Sequence, residues 1–149
     1  MSGGGTGIGR AIAASFARAG DRVTIVGRRA DVLEKVAAGY DGVTAVAADL
    51  TVPADVERVA ATLDSVDVVV NNAGGAVYDG PLSTLADRAA EWRAELDANV
   101  LTAALLTTAL LPKLTRPGGR VILMSSVAAV RGGGVYGAAK AALHGWAYS

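Results

Sequence analysis

Short runs of β-branched and apolar residues alternate with helical segments along this chain, and the alternation limits the folds that it can adopt. The apolar runs cover residues 22–27, 43–48, 66–72 and 120–126. The helical patterns cover residues 7–19, 30–38, 53–63 and 85–111, and a last helix begins near Tyr136. Parallel strands need such crossovers, and apolar strands indicate a sheet covered on both faces. The sequence therefore predicts an α/β fold, a doubly wound parallel sheet in three α/β/α layers.

Size and composition predict one domain over residues 1–149 and exclude several kinds of site. The chain is 52% hydrophobic, and its 14 basic residues balance its 14 acidic residues. This balance disfavours a nucleic-acid partner, which would need a basic surface. With no cysteine and one histidine, the chain cannot form a disulfide or a Cys/His zinc site, and we predict no metal site.

The most apolar stretch of the chain covers residues 98–112, which are 15 residues without a charge. A membrane-spanning helix needs roughly 20 such residues. We therefore expect a helix packed inside the domain or against a second subunit, and no membrane span. The N-terminus has no basic segment that leads into an apolar stretch, so the expected location is cytoplasmic.

The first ten residues, MSGGGTGIGR, contain a glycine-rich loop and the beginning of the first helix. The free N–H groups and the positive dipole end of a helix N-terminus favour a phosphate. A flexible tail is the alternative, but the amphipathic helix and the strand that follow are the context that a dinucleotide-binding loop requires. The candidate cofactor contacts in this loop are Gly3, Thr6, Gly7, Ile8 and Gly9.

The strand at 22–27 ends in Gly27 and is followed by Arg28, where a nucleotide-binding sheet places the adenosine ribose. A carboxylate there would bind the ribose 2′-hydroxyl, whereas an arginine favours a 2′-phosphate. Arg28 therefore indicates NADP(H) as the preferred cofactor, with NAD(H) as an alternative. The alternative is that Arg28 and Arg29 form a solvent-exposed basic pair that binds no ligand.

The last helix contains Tyr136 and Lys140, which are four residues apart and so share one face. A lysine cation within about 4–6 Å stabilises a phenolate, and the tyrosine then serves as an acid and a base. The pair occurs by chance in many helices. It gains meaning from Ser126, which ends the preceding strand, and from the glycine loop.

Taken in order, these motifs resemble the short-chain dehydrogenase/reductase family over essentially the whole chain. The matching positions are Ser2-Gly3-x-x-x-Gly7-Ile8-Gly9, Asp49-Leu50, Asn71-Asn72-Ala73-Gly74, Asn99, Ser126 and Tyr136-x-x-x-Lys140. The resemblance implies a Rossmann-type sheet. It also implies hydride transfer between a nicotinamide and a small-molecule carbonyl or secondary alcohol, and a homo-oligomer, either a dimer or a tetramer.

The resemblance also implies roles for individual residues. Tyr136 would be the general acid and base, Lys140 would hold the nicotinamide ribose and favour the phenolate, and Ser126 would bind the substrate oxygen. Asn99 would support a water relay to the lysine. The remaining cofactor contacts would be Asp49 and Leu50 at the adenine, and Asn71, Ala73 and Gly74 beside the cofactor. Asp49 and Asn71 could also be ordinary turn residues.

Two departures from the family pattern affect what this chain does. The connection from Ser126 to Tyr136 is shorter than usual, although its glycines permit tight turns. In addition, Met1 and Ser2 stand where a first, central strand is expected, and the chain ends within the last helix, before the C-terminal strands. We therefore expect a gap in the sheet and a truncated piece of a longer enzyme. The alternative to an active reductase is a catalytically silent nucleotide-binding or subunit-interaction fragment.

Overall fold

A computed structural model describes residues 1–148, and their helices and strands alternate as predicted. The strands are β1 (Val23–Gly27), β2 (Val43–Ala47), β3 (Val68–Asn71) and β4 (Arg120–Leu123). The helices are α1 (Gly7–Arg18), α2 (Ala30–Ala37), α3 (Pro53–Ala61), α4 (Leu85–Leu96), α5 (Thr102–Leu110), α6 (Ala128–Arg131) and α7 (Gly134–Ala147). The predicted α/β fold is confirmed, and the short helix α6 is the element that the sequence pattern did not indicate.

The strands form two parallel pairs, β1 with β2 and β3 with β4, and Ser2 lies between the inner strands β1 and β3. β1 pairs with β2 from Val23↔Val43 to Gly27↔Ala47, and β3 pairs with β4 from Val68↔Arg120 to Asn71↔Leu123. Ser2 forms parallel bridges to both Val26 and Asn71.

The expected gap in the sheet separates β1 from β3, and the first residues bridge it at its carboxyl end. The N–H of Ser2 donates to the carbonyl of Val70 at 2.9 Å, and the N–H of Gly3 donates to Val26 at 2.8 Å. The N–H of Val26 in turn donates to the carbonyl of Met1 at 2.9 Å. Met1 and Ser2 thus supply hydrogen-bond partners to the backbone of both inner strands at this end.

Helices pack on both faces of the sheet around two apolar clusters. On one face, Val59 of α3 and Leu106 of α5 belong to one buried cluster with the strand residues Val26 and Val69. On the other face, α1 and α2 cover a cluster that includes Val23 and Ile25. Successive residues of β1 thus point to opposite faces, as a pleated strand requires, and the doubly wound arrangement is confirmed.

The helical run from Leu85 to Lys113 is continuous for 29 residues. It matches the helix expected at 85–111 and contains the charge-free stretch 98–112. By length and composition it could cross a membrane, and 39% of its most apolar window is buried inside the fold. Residues Asp97–Leu101 within it adopt a π-helix. Such wide turns occur mostly as local bulges and frequently at functional sites.

Candidate active site

The carboxyl ends of all four strands border a cavity of about 1080 Å³, here called the strand-end cavity. Ligands of doubly wound sheets bind at this edge, and the volume is that of a small-molecule site. The predicted site residues that line it are Gly3, Thr6, Gly7, Ile8, Gly9, Arg28, Asp49, Leu50, Ala73, Gly74, Ser126, Tyr136 and Lys140. Asn71 and Asn99 lie behind this lining.

The glycine loop is folded so tightly that a side chain would not fit at its centre. Gly3 and Gly7 have φ values of +68° and +51°, in the left-handed region that favours glycine. A Cβ on Gly9 would collide with the carbonyl oxygen of Gly3 and would lie 2.5 Å from Nδ2 of Asn72. The first turn of α1 carries no acidic residue. The loop therefore presents the N-terminus of α1 to the cavity, as a phosphate site requires.

The ends of β1 and β2 place a carboxylate and a cation on the same side of the cavity. Asp49 Oδ1 accepts hydrogen bonds from the backbone N–H of Thr51 at 2.9 Å and from its hydroxyl at 2.7 Å. These bonds hold the pKa of Asp49 below its usual value, and the nearby charge of Arg28 lowers it further. The Arg28 side chain is exposed at the cavity rim.

The end of β3 is fastened to the glycine loop through side chains. Ser2 Oγ accepts hydrogen bonds from the N–H groups of Asn72 and Ala73, both at 3.0 Å. Nδ2 of Asn72 donates to the carbonyl of Gly3 at 3.2 Å. Asn72 therefore lines the cavity and joins the two halves of the site. Sequence reasoning had assigned this place beside the cofactor to Asn71.

Asn71 faces the interior instead of the cavity. Its Nδ2 donates to the hydroxyl of Thr107 on α5 at 2.8 Å, and the residue is 3% exposed. Its Oδ1 is buried and has no hydrogen-bond partner among residues 1–148. Alternation along the strand explains the difference, since adjacent residues point to opposite sides and the pattern of two asparagines does not reveal which one faces the ligand.

Tyr136 and Lys140 meet at the wall of the cavity formed by α7. The ammonium of Lys140 lies 5.9 Å from the centre of the Tyr136 ring, within range of a cation–π contact. It donates to the carbonyl of Met124 at 3.0 Å, just beyond β4. Lys140 is 3% exposed, and burial lowers its pKa. The cation is thus held in place from the neighbouring strand end.

The shortened connection still brings Ser126 to the cavity. Ser126 Oγ accepts a hydrogen bond from the N–H of Ala128 at 3.2 Å, at the start of α6. Gly132 and Gly134 have φ values of +87° and +59°, and they turn the chain sharply from α6 into α7. A Cβ on Gly137 would lie 2.7 Å from the carbonyl oxygen of Ala128, so the two helices pack with backbone almost in contact.

Asn99 lies behind the cavity lining and contacts the glycines that follow β3. Its Oδ1 accepts from the N–H of Gly75 at 2.9 Å, and its Nδ2 donates to the carbonyl of Gly75 at 2.9 Å. A Cβ on Gly74 would collide with Asn99 Oδ1 and would lie 3.1 Å from the Lys140 ammonium. Asn99 and Lys140 therefore lie on the same side of Gly74, one on each neighbouring helix.

A sequence model of the family described as short chain dehydrogenase matches residues 1–149 of this chain. The chain belongs to the short chain dehydrogenase family. Among curated relatives, serine 3-dehydrogenase of Agrobacterium fabrum is 36% identical over 96% of the chain and 60% of its own length. An uncharacterized oxidoreductase of Mycobacterium tuberculosis is 41% identical over 96% of the chain and 58% of its own length.

Solved structures of this short chain dehydrogenase family share the fold. A closed form of serine dehydrogenase complexed with NADP⁺ superposes with a TM-score of 0.86 and 29% identity, over 99% of the chain and 62% of that structure. The chain thus spans about 60% of the length of the curated relatives that it matches. The resemblance inferred from the motifs is confirmed at the level of family and fold.

His144 lies one turn beyond Lys140 on α7. Its Nε2 lies 2.6 Å from the hydroxyl of Ser125, and both side chains are at least partly exposed. The contact joins α7 to the end of β4. Within residues 1–148, no group of three or more histidine, aspartate or glutamate side chains is placed to hold a metal ion.

Proposed function

We propose that this chain carries the cofactor site and the catalytic groups of an NADP(H)-dependent oxidoreductase. The observation that carries the proposal is that the glycine loop, Ser126, Tyr136 and Lys140 all line one cavity. The cradle at Gly3 and Gly9, which a Cβ would fill, fits a dinucleotide pyrophosphate. When bound, the nicotinamide supplies or accepts a hydride at the carbon of a carbonyl or secondary alcohol.

The side chains account for the proton that accompanies the hydride. In reduction, the Tyr136 hydroxyl donates its proton to the carbonyl oxygen as that oxygen gains negative charge, and in oxidation the phenolate takes the proton back. The Ser126 hydroxyl orients the same substrate oxygen. The buried Lys140 ammonium stabilises the phenolate left on Tyr136, because opposite charges attract strongly where water is excluded.

The preference for NADP(H) rests on Arg28. It follows β1 at the position where a carboxylate would select NAD(H), and its exposed guanidinium is free to pair with a 2′-phosphate. A relative complexed with NADP⁺ shares the fold. Asp49 and Leu50 would border the adenine.

Fluorescence titration of the purified chain with NADPH and NADH tests the cofactor site. We expect tighter binding of NADPH, and Arg28→Ala should weaken it roughly tenfold through loss of a charge-assisted hydrogen bond. Arg93→Ala, an exposed cation on α4, is the control. Equal affinity for the two cofactors in the native chain would contradict the preference.

Tyr136→Phe tests the chemistry, because it removes the proton donor and keeps the ring. We expect loss of carbonyl reduction by roughly 100-fold or more, with NADPH affinity retained. Tyr148→Phe, which alters an exposed tyrosine just beyond α7, should retain the native rate. NADPH binding without turnover of any carbonyl by the native chain would favour the catalytically silent nucleotide-binding fragment.

A further inference from the structure

Glu95 is a buried carboxylate next to the site, and neither the motifs nor the proposed chemistry use it. It lies on the last turn of α4 and is 3% exposed. An ionised side chain is rarely buried so deeply unless hydrogen bonds compensate for the water that it loses. The donors that surround Glu95 therefore show what the carboxylate holds in place.

One carboxylate oxygen holds the segment that follows β3. Oε1 accepts hydrogen bonds from the backbone N–H groups of Val77 at 2.7 Å and Tyr78 at 3.1 Å. These residues continue from Gly74 and Gly75, and Val77 also lines the strand-end cavity. The segment from 72 to 83 has no regular secondary structure, so few backbone hydrogen bonds would otherwise fix it.

The other oxygen fixes the orientation of Asn99. Oε2 accepts from Asn99 Nδ2 at 3.1 Å, and the same Nδ2 donates to the backbone carbonyl of Glu95 at 3.0 Å. A carboxylate oxygen only accepts hydrogen bonds, so the amide nitrogen of Asn99 must face it. The amide oxygen then faces the N–H of Gly75 and lies beside Gly74, close to the Lys140 ammonium.

We propose that Glu95 is a positioning residue of the active site. Its two oxygens hold the backbone at Val77 and Tyr78 and the Asn99 carboxamide in one arrangement, beside Gly74 and the Lys140 ammonium. Glu95 does not line the cavity, so it acts through these groups and not on the substrate. The consequence for turnover rests on the proposed function, whereas the two anchoring contacts do not.

Two substitutions separate the two contacts. In Glu95→Gln, the amide oxygen can still accept from Val77 and Tyr78, but the new NH₂ group faces the NH₂ of Asn99, and two donors cannot pair. Glu95→Ala removes both contacts. Glu91→Gln, one turn earlier on α4, removes the same charge from a pair with Arg88 and is the matched control.

Amide hydrogen exchange and NMR signals of the Asn99 side chain test the contacts independently of activity. We expect Glu95→Ala to speed exchange at Val77 and Tyr78 at least roughly tenfold. Glu95→Gln should shift the Asn99 signals while exchange stays within about threefold of the native rate. Glu91→Gln should leave both unchanged. Native exchange in Glu95→Ala, or native Asn99 signals in Glu95→Gln, would overturn the proposal.

The kinetic test asks whether the anchoring matters for chemistry. In Glu95→Gln we expect kcat to fall roughly 10- to 100-fold, because small displacements of catalytic groups cost that much, while the KM for NADPH stays nearly native. A merely structural role would lower the melting temperature and leave kcat per folded molecule unchanged, and that result would overturn the proposal. If the native chain shows no turnover, the proposed function fails, and the exchange and NMR data still decide the role of Glu95.

Discussion

The two halves of the strand-end cavity are built by different means. In the half around α1, β1 and β2, the loop is formed mainly by backbone, since glycines at positions 3, 7 and 9 shape it. The half around β3, β4 and α7 is formed by buried polar side chains, namely Glu95, Asn99 and Lys140. Ser2 joins the halves. The comparison shows that a site can be shaped by the absence of side chains on one side and by their hydrogen bonds on the other.

The largest expected effect breaks the backbone-built half. Gly9→Ala forces a Cβ against the carbonyl of Gly3, so the loop must shift away from the phosphate position. Overpacking of this kind costs about 1–3 kcal/mol, which predicts a loss of NADPH affinity of roughly 30-fold in fluorescence titration. Gly145→Ala is the control, because a Cβ there meets no described atom within 4 Å. A dissociation constant within about threefold of native for Gly9→Ala would contradict the prediction.

The next effect breaks the half built by side chains. Gly74→Ala places a Cβ against Asn99 Oδ1 and Lys140 Nζ, so we expect kcat to fall roughly tenfold with much less change in NADPH affinity. Gly75→Ala separates collision from backbone strain. Gly75 has a similarly positive φ of +151°, compared with +138° for Gly74, but an added Cβ meets no described atom within 4 Å. Equal losses of kcat in the two variants would show that strain, and not the collision, matters.

A smaller effect tests the joint between the halves. Ser2→Ala leaves the N–H groups of Asn72 and Ala73 without their acceptor, which should lower the free energy of unfolding by about 1–3 kcal/mol in urea denaturation. Ser2→Thr keeps the hydroxyl and should recover most of the loss. Ser65→Ala changes an exposed serine and serves as the reference. Native stability in Ser2→Ala would mean that the halves hold together without this hydroxyl.

The smallest effect concerns the pH dependence of stability at Asp49, which follows β2. The pKa of Asp49 is lower in the folded chain than in the unfolded chain, where it is near 3.8. The ionised carboxylate therefore stabilises the fold at pH values above 3.8, and this stabilisation is lost as the pH falls through the folded-state pKa. Thr51→Val removes the hydroxyl hydrogen bond and should reduce this acid-dependent loss, measured as the change in urea midpoint between pH 5 and pH 3. Thr44→Val, on the exposed side of β2, should retain the native pH dependence.

The succession of elements could be predicted because each strand and helix has its own period of apolar residues. Helix α2, for example, was expected at residues 30–38 and covers Ala30–Ala37. Strands were expected to be longer than they are. β4 ends at Leu123 because its partner β3 has only four residues to pair with it.

The expected gap beside β1 is bridged at one end only, by Ser2, because the sequence pattern reveals where strands form but not that a single residue can bridge two of them. Ser2 forms one bridge to each inner strand from a single position. Glu95 was missed for a related reason. Its spacing of four residues before Asn99 places both on one helix face, but many exposed glutamates have such a spacing, and burial is not visible in one sequence.

The sequence by itself determined the order of the elements, the glycine loop and the choice of the side chains proposed as catalytic, because these depend on local periodicity and on the residue types themselves. The tertiary structure alone decided which of two adjacent asparagines faces the cavity, how Ser2 bridges the inner strands, and what Glu95 holds. Those outcomes depend on groups that are distant in the chain and meet only when the fold forms, such as Glu95 with Val77 or Ser2 with Asn72. Hydrogen bonds between such groups leave no periodic trace in the sequence.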